Sequence, residues 1–422
     1  MKYLLLSIGT RGDMEPFLAV GELLAARGHE VVCAMPEQFG ELVANTPLGF
    51  RPLDRRFLEL IEGETGRAFM GQRGNWLKRL RLLWKVGRSS LGIQRNLLQQ
   101  QRDYVQAYSP DRILYHPKCL YGRHWGMAHP ERAFVVSPIP NWLHPVREYP
   151  HIAFSGRYSE RVNLWTYRLI NYFTALAAAK WSKAYRSDFP GLRFSRKTVS
   201  RHMREQEQCL YLVAPQLFAR PAYWPGSAWV LGYYERQKTR NWTPRSDLLA
   251  FLDRYAAQPK LFITFGSMIN ADPEGTTREI IKVLEQHQIP AILNVSSGGL
   301  VELAAAPKHV LFVNNIPYEW IFPQMQAVMH HGGSGTTHTA VKHACANLII
   351  PHIVDQFFWN RRIADLGLGP KGVKIKHLTA DRLTSLLLEV MGNPNYKAKA
   401  QEVAKAMKDG HAVADLLQLL EK

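Results

Sequence analysis

Short apolar runs that stop at glycine or a polar residue, each followed by apolar residues at helical spacing, recur along this 422-residue chain in two series. That alternation constrains the fold more than any other feature, because strands separated by helical segments build parallel sheets covered by helices on both faces. Residues 3–8 form the first run, and Gly9-Thr10-Arg11-Gly12-Asp13-Met14-Glu15-Pro16 follows at once. Phe17, Leu18, Val20, Leu23 and Leu24 then keep helical spacing until Gly28, and residues 30–35 are apolar again. Further runs fall at 112–115, 132–136 and 210–214. Between 216 and 260 prolines and glycines break the pattern, and a second series begins with runs at 261–265, 291–295, 310–313, 327–329 and 347–350. The expected architecture is α/β, with two facing Rossmann-like doubly wound domains and a cleft between them. The expected boundaries are an N-terminal domain over 1–234, a linker over 235–259, a second domain over 260–400, and a C-terminal helix over 401–422 that could cross back to the first domain.

Charge narrows the partners. Lys and Arg number 53 against 35 Asp and Glu, a formal net charge of +18. Most of the excess lies in residues 1–236, where 33 basic residues stand against 19 acidic. An anionic partner follows: nucleic acid, a membrane surface or a phosphorylated ligand. With 46% hydrophobic and 21% charged residues, the composition excludes disorder as a description of the whole. Cys33, Cys119, Cys209 and Cys345 are widely spaced, with no C-x-x-C pair, so neither a zinc site nor a disulfide framework is expected. A reduced, cytoplasmic protein is the simplest expectation. The apolar start is shorter than a signal-peptide core and is expected to be a buried strand.

The segment most suggestive of chemistry runs from Ala327 through His330-His331-Gly332-Gly333-Ser334-Gly335-Thr336-Thr337. A strand here leads through a small-residue loop into a helix. Glycines let the backbone approach a ligand, and helix-start NH groups favour an anion. The amides of Ser334 to Thr337, His331 and two threonine hydroxyls are thus expected to cradle a diphosphate; an ordinary capped turn is the plainer alternative. Ser267, after the first strand of the second series, could reach the same phosphates or simply end a turn. Asp355-Gln356 follow the run at 347–350 and suit recognition of neighbouring sugar hydroxyls, with a helix cap as the alternative. Asp13 reads either as the N-cap of the first helix or as a general base. Asp-x-Asp and His-Glu-x-x-His are both absent, which points to chemistry without a metal. Residues 71–102 hold eight Lys and Arg with no Asp or Glu, interleaved with Trp76, Leu77, Leu80, Leu83 and Trp84. They read as a helix packed on the core, as a peripheral contact with an anionic membrane or, least of all, as a nucleic-acid contact.

With those residues quoted, the chain resembles the two-domain (GT-B) inverting glycosyltransferases that work without a metal. The branch it most resembles holds the sterol 3-beta-glucosyltransferases and the glucosyltransferases of glycopeptide aglycones. The block at 9–16 resembles that branch's first-loop motif. The blocks at 317–323, 330–337 and 355–362 resemble its donor site. The likeness covers about the first 55 residues and nearly all of 260–375, while 55–200, the expected acceptor side, matches far less. The resemblance implies that Asp13, with Thr10, Arg11 and Gly12 around it, takes the acceptor proton. It implies further that His331, Gly332 to Thr337 and Ser267 hold the donor diphosphate, that the backbone around Val313 to Ile316 holds the base, and that Asp355 and Gln356 bind the sugar. The chain departs from many relatives in carrying Asp13 where they carry a histidine, and Thr339 where plant-type members have a ribose-binding Glu. UDP is therefore preferred over TDP without being settled by the pattern.

The expected activity is metal-free, inverting transfer of a hexose, most simply glucose from UDP-glucose, to a hydroxyl of a lipophilic acceptor, with no cofactor beyond the donor. The alternatives are a nucleotide-sugar epimerase of the same architecture, or a membrane- or nucleic-acid-binding protein with a vestigial donor site. The expected location is the cytoplasm, with peripheral contact at the inner face of a membrane.

Overall fold

The structure, a computed structural model, describes residues 1–62, 76–236, 242–266, 268, 270, 272–295, 298–410 and 412–422, with backbone alone for 61–62 and 76–90. It comprises two compact units, Met1–Arg236 with Ala412–Lys422, and Gln237–His411.

Among the described residues the first unit holds seven parallel strands: β1 (Lys2–Leu6), β2 (Glu30–Pro36), β3 (Gly49–Leu53), β4 (Arg112–Tyr115), β5 (Ala133–Ser137), β6 (Gln208–Tyr211) and β7 (Ala228–Val230). Their order is β3-β2-β1-β4-β5-β6-β7. The second unit holds β8 (Leu261–Thr264), β9 (Ala291–Asn294), β10 (Val310–Val313), β11 (Ala327–His330) and β12 (Ala346–Ile349), ordered β10-β9-β8-β11-β12. In each sheet the chain first winds to one side and then restarts beside its first strand. The reversal lies between β1 and β4 in the first unit and between β8 and β11 in the second. Loops leaving the two strands at such a point diverge to opposite faces and open a crevice beyond the carboxyl ends.

The strands are nearly uniformly buried, as expected for sheets covered on both faces: Leu4, Leu5 and Leu6 of β1 and every residue of β8, β11 and β12 are buried. β3 and β7 lie outside the strands read from the sequence. Both are sheet edges, where Pro52 is tolerated because its missing NH faces no partner strand, and β7 is too short to register as an apolar run. The expected linker also shrinks. The helix Ser246–Arg254 buries Leu248, Phe251 and Leu252 in one core cluster with Phe262 and Val328, so it belongs to the second unit. The expected C-terminal helix is two. Pro394–Lys408 stays in the second unit, and Ala412–Glu421 belongs to the first. Leu416 and Leu420 are fully buried there, and the Tyr3 and Tyr234 hydroxyls donate to the carbonyls of Leu420 and Ala412, each at 2.7 Å.

Candidate functional site

The reversal point of the first unit carries Asp13. The first helix, Arg11–Ala26, begins two residues before it, so Asp13 is the third helical residue and not the N-cap; Thr10 holds that position. The Thr10 NH donates to Asp13 Oδ2 at 2.7 Å, the carboxylate half of a capping box. Gly9 makes this possible: its φ is +147°, and a Cβ there would overlap the carboxylate. From the end of β4 come His116 and Lys118. His116 Nε2 lies 3.1 Å from Asp13 Oδ1, and Lys118 Nζ lies 3.6 Å from Oδ2. The Lys118 NH donates to His116 Nδ1 at 3.4 Å, so the imidazole proton sits on Nε2 and is donated to Asp13. The His116 ring is fully buried against Phe17 and the Trp142 edge, and Lys118 lies over the Trp142 face. Behind it, Glu207 accepts from the Tyr115 hydroxyl at 2.7 Å and from Arg123 Nε at 2.6 Å, a buried network tying β4 to the segment entering β6.

Burial alone would raise the Asp13 pKa, but Lys118, His116 and the Thr10 NH outweigh it and hold the carboxyl well below its usual range. Burial pushes His116 down, against the pull of Asp13, and keeps the imidazole neutral. The arrangement is an anionic carboxylate fixed by donors on both oxygens. Folding favours its ionised form, so its contribution to stability is present above about pH 3.9 and is lost as pH falls through the folded value. Lys118→Met is expected to raise the Asp13 carboxyl pKa by about one unit, since an opposite charge at this range lowers a carboxyl by about 1–3 units. NMR titration of the Asp13 carboxyl checks this, and an unmoved titration would detach Lys118 from Asp13.

The reversal point of the second unit carries His331, directly after β11, and Gly266, two residues past β8. The imidazole lies against both Gly266 and Gly333; a Cβ on either would meet the ring. Burial, with His330 and His352 nearby, pushes His331 far below its ordinary pKa, so the ring is neutral, and its Nδ1 is buried without a hydrogen-bond partner. The helix Ser334–Lys342 starts here with Gly333 as its N-cap. The Thr337 NH already donates to the Gly333 carbonyl at 3.0 Å, and its hydroxyl donates to the same oxygen at 2.9 Å. Both are therefore spent inside the helix, which corrects their place in the expected anion cradle. Gly335 and Thr336, solvent-accessible at the first turn, keep NH groups with no acceptor within the helix. Ser334 is buried with its hydroxyl 3.4 Å from His338 Nδ1.

Around this loop stand the other strand ends. Val313 and Ile316 are buried in the core, and the Val313 carbonyl accepts from the Val295 NH at 3.0 Å. The accessible backbone expected to hold the base therefore reduces to the exposed Asn314 and Asn315 between them. Asp355 is half-buried at the start of the helix Gln356–Asp365, without a side-chain capping bond. The Gln356 carboxamide oxygen accepts from the NH groups of His352 (2.7 Å) and Ile353 (3.0 Å), so that side chain shapes the loop presenting Asp355. Val354 within the loop has φ +41°, strained for a β-branched residue. Thr339 is buried in its helix. Ser267 lies outside the described residues. In the first unit, Thr10 contacts Asp13, Gly12 is exposed, and Arg11 pairs on the surface with Glu15 at 3.0 Å, away from the carboxylate. For the basic segment 71–102, the helix Trp76–Tyr108 is present, but residues 71–75 and the side chains of 76–90 lie outside the description.

His116 and Lys118 were not singled out from the sequence, because they stand about a hundred residues from Asp13 in no motif. The signal that could have found them is positional, since both follow the apolar run at 112–115. Val354 carried no signal, because strain is a property of the folded loop.

Family models match both units. Residues 3–109 match the glycosyltransferase family 28 N-terminal domain, and 279–421 match the C-terminal domain of erythromycin biosynthesis protein CIII-like proteins. Two sterol 3-beta-glucosyltransferases of Arabidopsis thaliana are 28% and 27% identical over 98% and 100% of this chain, which spans 66% and 65% of their lengths. That of Eremothecium gossypii is 28% identical over 97% of the chain, which spans 33% of it. Among solved structures, the glycotransferase of kitacinnamycin has a TM-score of 0.71 at 17% identity, covering 100% of this chain and 98% of its own. Glycosyltransferase VinC, in complex with DTDP, scores 0.68 at 17% identity, with both chains fully covered.

Proposed function

We propose, from the premise that this chain belongs to the two-domain (GT-B) glycosyltransferases in the branch of the sterol 3-beta-glucosyltransferases, that it transfers a hexose from a nucleoside diphosphate sugar to a hydroxyl of a lipophilic acceptor. UDP-glucose is the proposed donor and a sterol-like alcohol the proposed acceptor, with inversion at the anomeric carbon. The single observation that carries the reading is the loop after β11. There a buried neutral imidazole with an unpaired nitrogen stands beside the accessible helix-start NH groups of Gly335 and Thr336. Such a cluster suits a departing diphosphate, whose charge grows in the transition state and is met by fixed dipoles. The chain's relatives support a lipophilic acceptor, and the nucleotide bound in VinC supports a diphosphate donor.

In the proposed reaction the acceptor oxygen attacks the anomeric carbon. The bond to the diphosphate breaks, with its electron pair leaving on the phosphate, and the acceptor proton passes to Asp13. A carboxylate held this far below its usual pKa is a weak ground-state base, so the proton moves late, when the attacking hydroxyl has become acidic. His116 holds the carboxylate in place by donating from Nε2. Asp355 is proposed to accept from hydroxyls of the transferred sugar, and the backbone of Asn314 and Asn315 to meet the base.

The test is incubation of the purified chain with UDP-glucose and a sterol, with product and anomeric configuration read by mass spectrometry and NMR. A β-linked glucoside is the expected product. EDTA is expected to leave the rate unchanged, and strong inhibition restored by a divalent cation would overturn the metal-free step. Free isomerised nucleotide sugar, formed without acceptor, would overturn the transfer itself.

A further inference from the structure

Among the described residues, exposed large apolar side chains are most concentrated on the helix Glu160–Trp181 of the first unit. Of the fourteen large hydrophobic residues exposed among the described ones, seven fall between Tyr158 and Leu192. Five of these sit on that one helix: Val162, Trp165, Tyr172, Phe173 and Leu176, with Trp165 54% and Phe173 56% exposed. At 100° per residue they share a stripe about 100° wide, running about 21 Å along the helix axis. The rest of the helix buries Asn163, Thr166, Tyr167, Ala175 and Ala178 against the unit. The helix thus turns an apolar stripe to solvent beyond the residues it packs, which a solvated surface helix does not require.

The rim of this stripe is cationic. Residues 157–201 carry ten Lys and Arg against two acids. Both acids are already paired, Asp188 with Arg102 and Glu160 with Arg147. Arg161 and Arg168 are exposed along one edge of the stripe, Lys180 and Lys183 continue past its end, and the Arg196 guanidinium lies over the Tyr172 ring at 4.6 Å. Aromatic rings with basic side chains around them suit the boundary between lipid headgroups and acyl chains. The rings bury their apolar bodies there, and the cations meet anionic phosphates. A second copy of the chain is the poorer occupant, because self-complementary pairing would bring two cationic rims together.

We propose that the solvent face of Glu160–Trp181 is a docking surface for an anionic lipid bilayer, entered by Trp165, Tyr172, Phe173 and Leu176 and steered by the surrounding basic residues. The stripe lies on a different helix from the basic segment 71–102, whose Arg102 pairs with Asp188. It stands whether or not the transfer reaction is the one proposed above.

The full chain would be sedimented with sucrose-loaded vesicles of phosphatidylcholine, with and without 30 mol% phosphatidylglycerol, at low and at about 0.5 M salt. The parent is expected to pellet with the anionic vesicles at low salt, with at least tenfold weaker partition onto neutral ones or at high salt. Trp165→Ser with Phe173→Ser is expected to lose at least tenfold of that partition. Arg161→Glu with Arg168→Glu is expected to lose a similar share by a separate route. Both substitution pairs replace exposed side chains, so circular dichroism and Tm should match the parent. Unchanged partition of both variants would overturn the proposal, as would equal binding to neutral vesicles. A parent that is dimeric by sedimentation velocity, and made monomeric by Trp165→Ser with Phe173→Ser, would assign the face to a second copy instead.

Discussion

Asp13→Asn is expected to lower kcat by about 10²–10⁴-fold, the range contributed by a positioned general base. The substitution keeps the shape of the side chain and an oxygen for the Thr10 NH, which donates at 2.7 Å. It removes the negative charge to which His116 and Lys118 are matched. The nucleotide is proposed to bind in the other unit, so the rise in Tm on adding UDP should stay within measurement error of the parent. Steady-state kinetics with UDP-glucose and acceptor, alongside thermal shift with UDP, separates the two. A variant turning over at near-parent rate would remove Asp13 from proton transfer. One that lost both turnover and the UDP shift would instead assign Asp13 a wider structural role.

His331→Ala is expected to have the opposite signature. Removing one preorganised donor to a developing charge costs about 10²–10³-fold in kcat. Here the same donor is proposed to contact the ground-state diphosphate, so the UDP-dependent rise in Tm should also shrink or vanish. The ring fills the space between Gly266 and Gly333, so its loss leaves a cavity, and the apo Tm should fall as well. His331→Gln keeps a donor and much of the volume, and it should recover part of the UDP shift. If His331→Ala bound UDP like the parent and lost only apo stability, the imidazole would be a packing residue and the donor loop would need another anion ligand.

The two sites differ in how far the sequence revealed them. The loop at 331–337 is contiguous. Strand, small residues and helix start are each local signals, so the position of the helix N-terminus could be read directly. What could not be read was the spending of donors within it. Thr337 looks like a ligand in the sequence, but its NH and hydroxyl both close on Gly333, because a helix of this register supplies that carbonyl to its fourth residue. Val313 and Gln356 differ for related reasons. One carbonyl is committed to the extension of a strand pair, and one carboxamide to its own loop.

Asp13 shows the other limit. The sequence placed it beside a strand end and left its role between cap and base. The fold makes it a capping-box partner and a charge centre at once, because Thr10 reaches one oxygen and His116 the other. Nothing in the local pattern marks His116. Its place beside Asp13 follows from the strand order, which sets β4 against β1 across a gap of about a hundred residues.

The sequence by itself determined the parallel α/β class, most interior strands, the strand–glycine loop–helix pattern at 327–342 and the excess of positive charge. These rest on periodicity, composition and contiguous motifs, all carried by neighbouring residues. Tertiary structure alone decided the edge strands, the return of Ala412–Glu421 to the first unit, the Asp13–His116–Lys118 cluster and the apolar face of Glu160–Trp181. Each of these depends on which distant segment packs against which. A helix with an apolar stripe does not reveal, until it is packed, whether that stripe is buried or left to meet something else.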